Sequence, residues 1–442
     1  MPLVLSHRAV VEPTPKVIGS NPAGTPGARM GSDAEALQRG YRALRDPLRE
    51  PAAFDHHFVH VDEGVCADLA TLLTFEDAPT SVLLCGAPGV GKSTQLRALA
   101  RALRASHRLL HIDVDQELDL QQVETVDLLF LILAHAWART VADGAVPAAL
   151  LGAGTDLLAK LRKQASLEGD TGRTSGAALA AALTTFGHGL RSAQRRDRLR
   201  SALENAKVAI PLQVGALSDH CRARDGRPLV VVLDGLDTME GAGAQQLLAN
   251  ARDLTDLPVS LVVTAPASLI HSPSYRQVAR SITHSRTVGP VPLTGTKATA
   301  VAEEVRDIVH KRLPEELVDD AVIDSTLRQC GGRIGALLDT LARAVIVARR
   351  TSATTVTMTE VDEVLEERRA DERRLLRPEE LTLLGAVTKG QSKGATTTLD
   401  TSDPAFLQLL DHALVFEAAD GAAGGYTVPA FLQPLLQEKK VL

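Results

Sequence analysis

The chain has 442 residues, 45% of them hydrophobic, with 48 Lys and Arg against 54 Asp and Glu for a net charge of −6. That length implies two or three domains, and the charge excludes the strongly basic surface on which non-specific nucleic-acid binding depends. Aromatic residues make up only 3%, which disfavours a β-sandwich or barrel and favours helices packed through Ala, Leu and Val. Cys66, Cys85, Cys221 and Cys330 lie far apart with no CxxC pair. That spacing suggests neither a zinc ribbon nor a disulfide framework and fits a reducing, cytoplasmic setting.

In chain order, residues 1–28 carry scattered Pro and Gly without the apolar core of a signal peptide, so a disordered leader is expected. A short amphipathic helix follows to about residue 50. Phe58–Val61 suggests a strand, and Gly64–Phe75 carries apolar residues at helical spacing. Ser81–Cys85 is a buried strand ended by a Gly-rich turn, and Leu96, Leu99, Ala100 and Leu103 then mark a helix. With a second strand at Leu109–Val114, a βαβ unit opens a parallel sheet.

Residues 117–214 read as a helical insertion. Val126–Trp137 is its most apolar run, but Asp127 and His135 interrupt it and it falls short of the ~20 residues of a membrane span, so a buried helix is expected. Arg191, Arg195, Arg196, Arg198 and Arg200 cluster on one polar helix, either as a solvated face or as a contact for phosphate or an acidic partner. Strands are expected at Pro228–Asp234, Pro258–Thr264 and Thr287–Leu293.

From Gly295 to Arg350 the pattern is helical, with Ile334, Leu337, Leu338, Leu341, Ala342 and Val345 on one stripe. A charged helix over Met358–Arg377 leads to helices near Glu379–Val387 and Pro404–Leu410. Short strands at Leu414–Glu417 and Tyr426–Val428 and a last helix at Phe431–Leu436 complete the order of a winged helix.

Gly86-Ala87-Pro88-Gly89-Val90-Gly91-Lys92-Ser93 matches the phosphate-loop pattern GxxxxGK[ST] between a strand and a helix. The glycines let backbone N–H groups face phosphate, the helix N-terminus adds a positive field, and Lys92 can reach the β and γ oxygens of ATP. Ser93 is the expected Mg²⁺ ligand, with Thr94 the next hydroxyl. Asp234, at the end of the strand LVVVL, is the expected carboxylate beside that ion. Gly235 follows it where many AAA+ ATPases have the Glu that orients water, so slow hydrolysis is expected.

The run Leu233-Asp234-Gly235-Leu236-Asp237 resembles the second nucleotide motif of NACHT-type STAND ATPases, in which a tiny residue follows the metal Asp and a further acid stands three positions on. The resemblance makes Asp237 the candidate to position water, the alternative being a helix cap. This chain has Thr238 where that family commonly has Glu. Val259–Thr264 is similar to the strand that carries a polar sensor in STAND and AAA+ proteins, which implies that role for Thr264. Arg276, Arg280 and Arg286 occupy the stretch where AAA+ proteins often keep an arginine finger. Cys330-Gly331-Gly332-Arg333 resembles the turn into the helical lid of these ATPases, which implies Arg333 as a nucleotide sensor against a purely structural turn.

The order of elements from about 55 to 440 resembles STAND proteins and origin-recognition ATPases. It implies an α/β P-loop ATPase domain (51–294), an all-α lid (295–352) and a winged-helix-like domain (353–442). The function it implies is an ATP- and Mg²⁺-dependent molecular switch, hydrolysing slowly, of bacterial signalling or defence. Such a switch would act through a protein effector or sensor partner, and a homo-oligomer is compatible with it. A DNA-handling ATPase and a non-hydrolysing scaffold are the alternatives. Nucleic acid is disfavoured because residues 378–442 hold four Lys against eight acidic residues, a net charge of −4.

Overall fold

The computed structural model of the chain describes residues 26–46, 48–59, 61, 64–76, 78–167, 175–393, 399–418 and 425–442. Of the expected leader, residues 1–25 lie outside them. Helices α1 (Pro26–Leu44), α2 (Pro51–His57) and α3 (Gly64–Phe75) precede β1 (Ser81–Cys85), α4 (Lys92–Ala102) and β2 (Arg108–Asp113). Next come α5 (Val114–Glu117), α6 (Thr125–Ala142), α7 (Ala148–Gln164), α8 (Gly176–His188), α9 (Ala193–Asn205) and α10 (Ala209–Asp225). The sheet resumes with β3 (Leu229–Asp234), α11 (Gly241–Ala249), α12 (Arg252–Thr255), β4 (Ser260–Ala265), α13 (Tyr275–Ser281) and β5 (His284–Thr287).

The five strands are all parallel, in the order β2-β3-β4-β1-β5. Every residue of β1 and β3 is buried, as a parallel sheet covered on both faces requires. This is an α/β P-loop NTPase fold followed by a helical C-terminal region, and β4 stands between the strand that ends in the phosphate loop and the strand that ends in Asp234.

Helices α6 to α10 share one core with the sheet, built around Phe130, Leu133, Trp137, Leu183 and Leu203. A capping box of Glu124 and Asp127 starts α6, satisfying N–H groups that a helix start leaves open. Gly154 lets α7 approach Trp137, for a Cβ there would stand 2.4 Å from the indole. By length and composition α6 is the one described helix fit to cross a membrane, and most of it is buried within this core.

The basic cluster divides. Arg196 is buried and paired with Asp119 at 3.2 Å, and Arg200 pairs with Glu124 at 2.7 Å and with Asp127. Arg191, Arg195 and Arg198 are exposed. Two of the five guanidiniums therefore pin α9 to the start of α6.

The helical region consists of α14 (Ala298–His310), α15 (Asp320–Gln329), α16 (Ile334–Arg350) and α17 (Met358–Leu375), with Thr357 and Glu360 forming a capping box for α17. It continues with α18 (Pro378–Lys393), α19 (Pro404–Asp411), the antiparallel pair β6 (Phe416–Glu417) and β7 (Tyr426–Thr427), and α20 (Gln433–Glu438). Helix α1 belongs to this core: Leu37 and Leu44 are buried with Leu337, Leu341 and Val345.

Two expected strands differ. Phe58 is not in a strand. Its ring stacks on Phe54 at 4.5 Å, and its N–H donates to Phe54 O at 2.8 Å to close α2. The strand expected over Thr287–Leu293 instead runs His284–Thr287. Beyond it Val288 N–H still donates to Cys85 O at 2.8 Å, but Pro290 and Pro292 have no N–H to extend a ladder.

Candidate functional site

The phosphate loop leaves β1 and enters α4 through Gly86, Gly89 and Gly91, with φ of 156°, 81° and 99°. Gly89 and Gly91 lie in the left-handed region that glycine enters without strain. Helix α4 starts at Lys92 with no side-chain cap on its first N–H groups, which leaves them for an anionic ligand. Lys92 is 4% exposed. Its Nζ donates to Gly86 O at 2.6 Å and Ala87 O at 3.0 Å and lies 2.8 Å from Asp237 Oδ2.

Asp237 therefore caps no helix through its side chain. It follows β3 in a short 3-10 turn that begins at Gly235, whose φ is 92°, and it neutralises the loop lysine. Asp234 is buried, accepts a hydrogen bond from Gly235 N–H at 3.0 Å and is hydrogen-bonded to Ser93.

A cavity of about 1180 Å³ opens above the loop. It is lined by Gly89, Val90, Gly91, Lys92, Ser93 and Thr94, by Asp234 and Asp237, and by Ile334, Gly335 and Leu338 of α16. Its size suits a nucleotide. Gly86 and Ala87 line a smaller hollow beneath, beside Phe416 and Glu417. Pro88, Thr264 and Arg333 line neither. Thr264 is fully buried, its hydroxyl donating to Leu233 O at 3.4 Å between β4 and β3. Arg333 is buried, donates from Nε to Cys330 O at 3.3 Å and stands over the Phe416 ring at 5.4 Å. Burial brings its pKa down to about 10, so it is still a cation at neutral pH. Arg276 and Arg280 are exposed, and Arg286 lies 4.0 Å from Asp68.

Several cavity residues carried no signal in the sequence. Asp46, Leu48, Arg49, His57, Phe58 and Val59, between α1 and α3, form one wall. They reach the site because α1 packs on α16. On the same side Arg312, just past α14, donates to His57 O at 3.1 Å and is brought to about 10 by burial. From β2, His111 Nε2 stands 3.2 Å from both Asp113 Oδ1 and Asp234 Oδ2. Burial works against protonation of His111, but hydrogen bonds to the two carboxylates outweigh it and hold its pKa above the usual value. Burial works the other way on Asp234, and contacts with His111 and Ser93 keep it low nonetheless.

Helix α16 meets the loop backbone to backbone: Gly335 N–H donates to Gly89 O at 2.8 Å. A Cβ on residue 335 would stand 2.8 Å from Gly89 Cα and 2.9 Å from Gly89 O. Gly335→Ala should therefore push α16 off the loop, cost about 1–3 kcal/mol and weaken ATP binding. A thermal melt and an ATP titration check this, and an unchanged melt would show that the contact carries no load.

The turn between α15 and α16 meets the C-terminal pair, since a Cβ on Gly331 would stand 2.2 Å from the Phe416 ring. That pair also docks on the segment after β4. Glu417 lies 3.3 Å from His271 Nε2, whose hydrogen bond holds the carboxyl below its usual range. Asp411 Oδ1 accepts from Ser268 N–H at 3.2 Å.

Among known proteins, residues 64–263 match the family model described as AAA ATPase domain. No curated protein matches the chain. Solved structures give distant likenesses. A chain of Drosophila ORC bound to DNA is 14% identical, with 97% of this chain and 88% of that chain covered and a TM-score of 0.38. The Aeropyrum pernix ORC2 protein in its ADP form is 12% identical, with 89% and 97% covered and a TM-score of 0.42. The Thermotoga maritima RuvB Holliday junction branch migration motor is 13% identical, with 90% and 98% covered and a TM-score of 0.36. The phosphate loop, Asp234 and strands β1, β2 and β3 all fall inside the stretch that is similar to an AAA ATPase domain.

Proposed function

We propose that the chain is a slowly hydrolysing ATP-dependent switch of the STAND type, whose C-terminal module is a winged helix that engages a protein partner. The observation that carries this reading is the continuous contact from the phosphate loop through Gly335 to the lid, and from Gly331 and Arg333 to Phe416. A ligand that changes the loop changes the footing of the lid, and the lid that of the C-terminal pair, so differential binding to two arrangements moves an equilibrium between them.

The uncapped start of α4, the buried lysine and the Ser93–Asp234 contact fit a nucleotide with a divalent ion. Ser93 and Asp234 would hold the ion, which would supply positive charge to offset that of the β and γ oxygens. Lys92 would bind those oxygens and Asp237 would orient water. Arg333 would exchange the Phe416 ring for the nucleotide when the lid moves, and Thr264 would report on the site through β3. The four free, buried cysteines support a reducing, cytoplasmic setting for this reading. A DNA-handling role is weaker because Arg196 and Arg200 are used internally and the C-terminal module is acidic.

Hydrogen exchange with ATP, with ADP and without nucleotide tests the switch. Residues 331–335 and 414–418 should change protection together, at least several-fold between ATP and ADP. Identical protection in all three states would sink the reading, and salt-dependent retention of DNA by the purified chain would replace it with the DNA-handling one.

A further inference from the structure

The ion side of the site holds a group that phosphate chemistry does not call for. In β2, residues 111 and 113 share a face because side chains alternate along a strand. The parallel register with β3 sets Asp113 beside Asp234. This brings one imidazole nitrogen and two carboxylates together, with one donor atom from each of His111, Asp113 and Asp234 within 4.8 Å of one another. Both nitrogen-to-oxygen distances are 3.2 Å. Ligand atoms about 2.1 Å from one ion stand about 3.0 Å apart at a right angle and about 3.4 Å apart at a tetrahedral one, so both nitrogen-to-oxygen distances match those between ligands of one ion.

Two guanidinium groups border the cluster. Arg49 Nε is 3.0 Å from Asp113 Oδ2, the oxygen turned away from His111, and Arg97 is 3.7 Å from Oδ1. Arg49 orients the carboxylate from outside, as outer partners of metal ligands do, while Arg97 shares Oδ1 with His111 and would be displaced from it by an ion. Oxygen donors and retained water suffice for Mg²⁺. An imidazole nitrogen adds affinity for Mn²⁺, Co²⁺ and Zn²⁺ instead.

We infer that His111, Asp113 and Asp234 form a binding site for a divalent transition-metal ion, in place of a purely oxygen-lined Mg²⁺ site. This rests on the reading of Asp234 as the carboxylate of the nucleotide site. The competing arrangement is an imidazolium clamped between two carboxylates with no ion.

The test uses the full chain, stripped of metal and nucleotide and titrated with CoCl₂ by visible absorption and calorimetry. One equivalent of Co²⁺ should bind with a visible band, should survive a hundred-fold excess of Mg²⁺, and should raise the melting temperature. His111→Gln should weaken it at least about tenfold, and Asp113→Asn repeats the test if the glutamine variant fails to fold. Equal Co²⁺ affinity in the wild type and a folded His111→Gln, or one-for-one displacement by Mg²⁺, would overturn the inference. Lys92→Ala separates the two readings. Loss of ATP with Co²⁺ binding kept supports both sites, whereas Co²⁺ binding as expected in a wild type that fails to bind ATP removes the nucleotide reading alone.

Discussion

Replacing Lys92 with alanine should abolish measurable ATP binding while leaving a folded chain. The lysine is 4% exposed, and its three contacts, Gly86 O, Ala87 O and Asp237, are all within the site. No other described Lys or Arg comes from the phosphate loop itself, so the variant leaves the loop amides without a cation to share the charge of the β and γ oxygens. Asp237, with its side chain 14% exposed, loses its partner, and a nearly buried carboxylate without a counter-charge costs about 1–3 kcal/mol. A modest drop in melting temperature should therefore accompany the loss. Calorimetric titration with ATP and a circular-dichroism melt read the two effects separately. Unchanged affinity for ATP would remove the nucleotide site from this loop.

Asp237→Asn should have the opposite effect on binding and a large one on turnover. Asp237 competes for the ammonium that phosphate would use. Asparagine keeps the shape and removes the charge, so ATP affinity should rise up to about tenfold, equivalent to roughly 1.4 kcal/mol of released competition. Without a carboxylate to orient and accept a proton from water, phosphate release should fall by about 100-fold. Equal, very low phosphate release from the wild type and this variant, with ATP binding intact in both, would mean that the chain binds nucleotide without turning it over. Asp237 would then be only a lock on Lys92.

The two variants probe a pair that sequence reading sees only halfway. Lys92 is legible because the phosphate loop is a local signal: eight consecutive residues, a strand before and a helix after. The fold class was legible for a related reason. Apolar runs such as LVVVL report that a strand is buried on both faces, and the periodic stripe from Ile334 to Val345 reports a helix with one buried side. The partner of Lys92 is not local. Asp237 stands 145 positions later in the chain, and its choice between capping a helix and facing the loop depends on the turn that begins at Gly235.

The misplaced strand at Thr287–Leu293 has the same origin in reverse. Valine and threonine there match strand composition, but pairing with β1 is decided by which residues offer N–H groups beside Val82 to Cys85, and two prolines cannot. The arginine cluster likewise reads as one polar face, although Arg196 and Arg200 are engaged by acids from the segment before α6 and from its first turn, more than seventy residues earlier.

What the sequence determined by itself was therefore the set of elements whose cause is short-ranged: the phosphate loop, the buried strands, the amphipathic helices and the acidity of the last 65 residues. Tertiary structure alone decided that α1 packs on α16 and carries Asp46, Leu48, Arg49, His57, Phe58 and Val59 to the cavity wall. It also decided that Arg333 lies against Phe416, and that His111 and Asp113 stand beside Asp234. Each of these depends on the register and packing of segments far apart in the chain, and composition or periodicity within one segment carries no record of what another segment will bring to it.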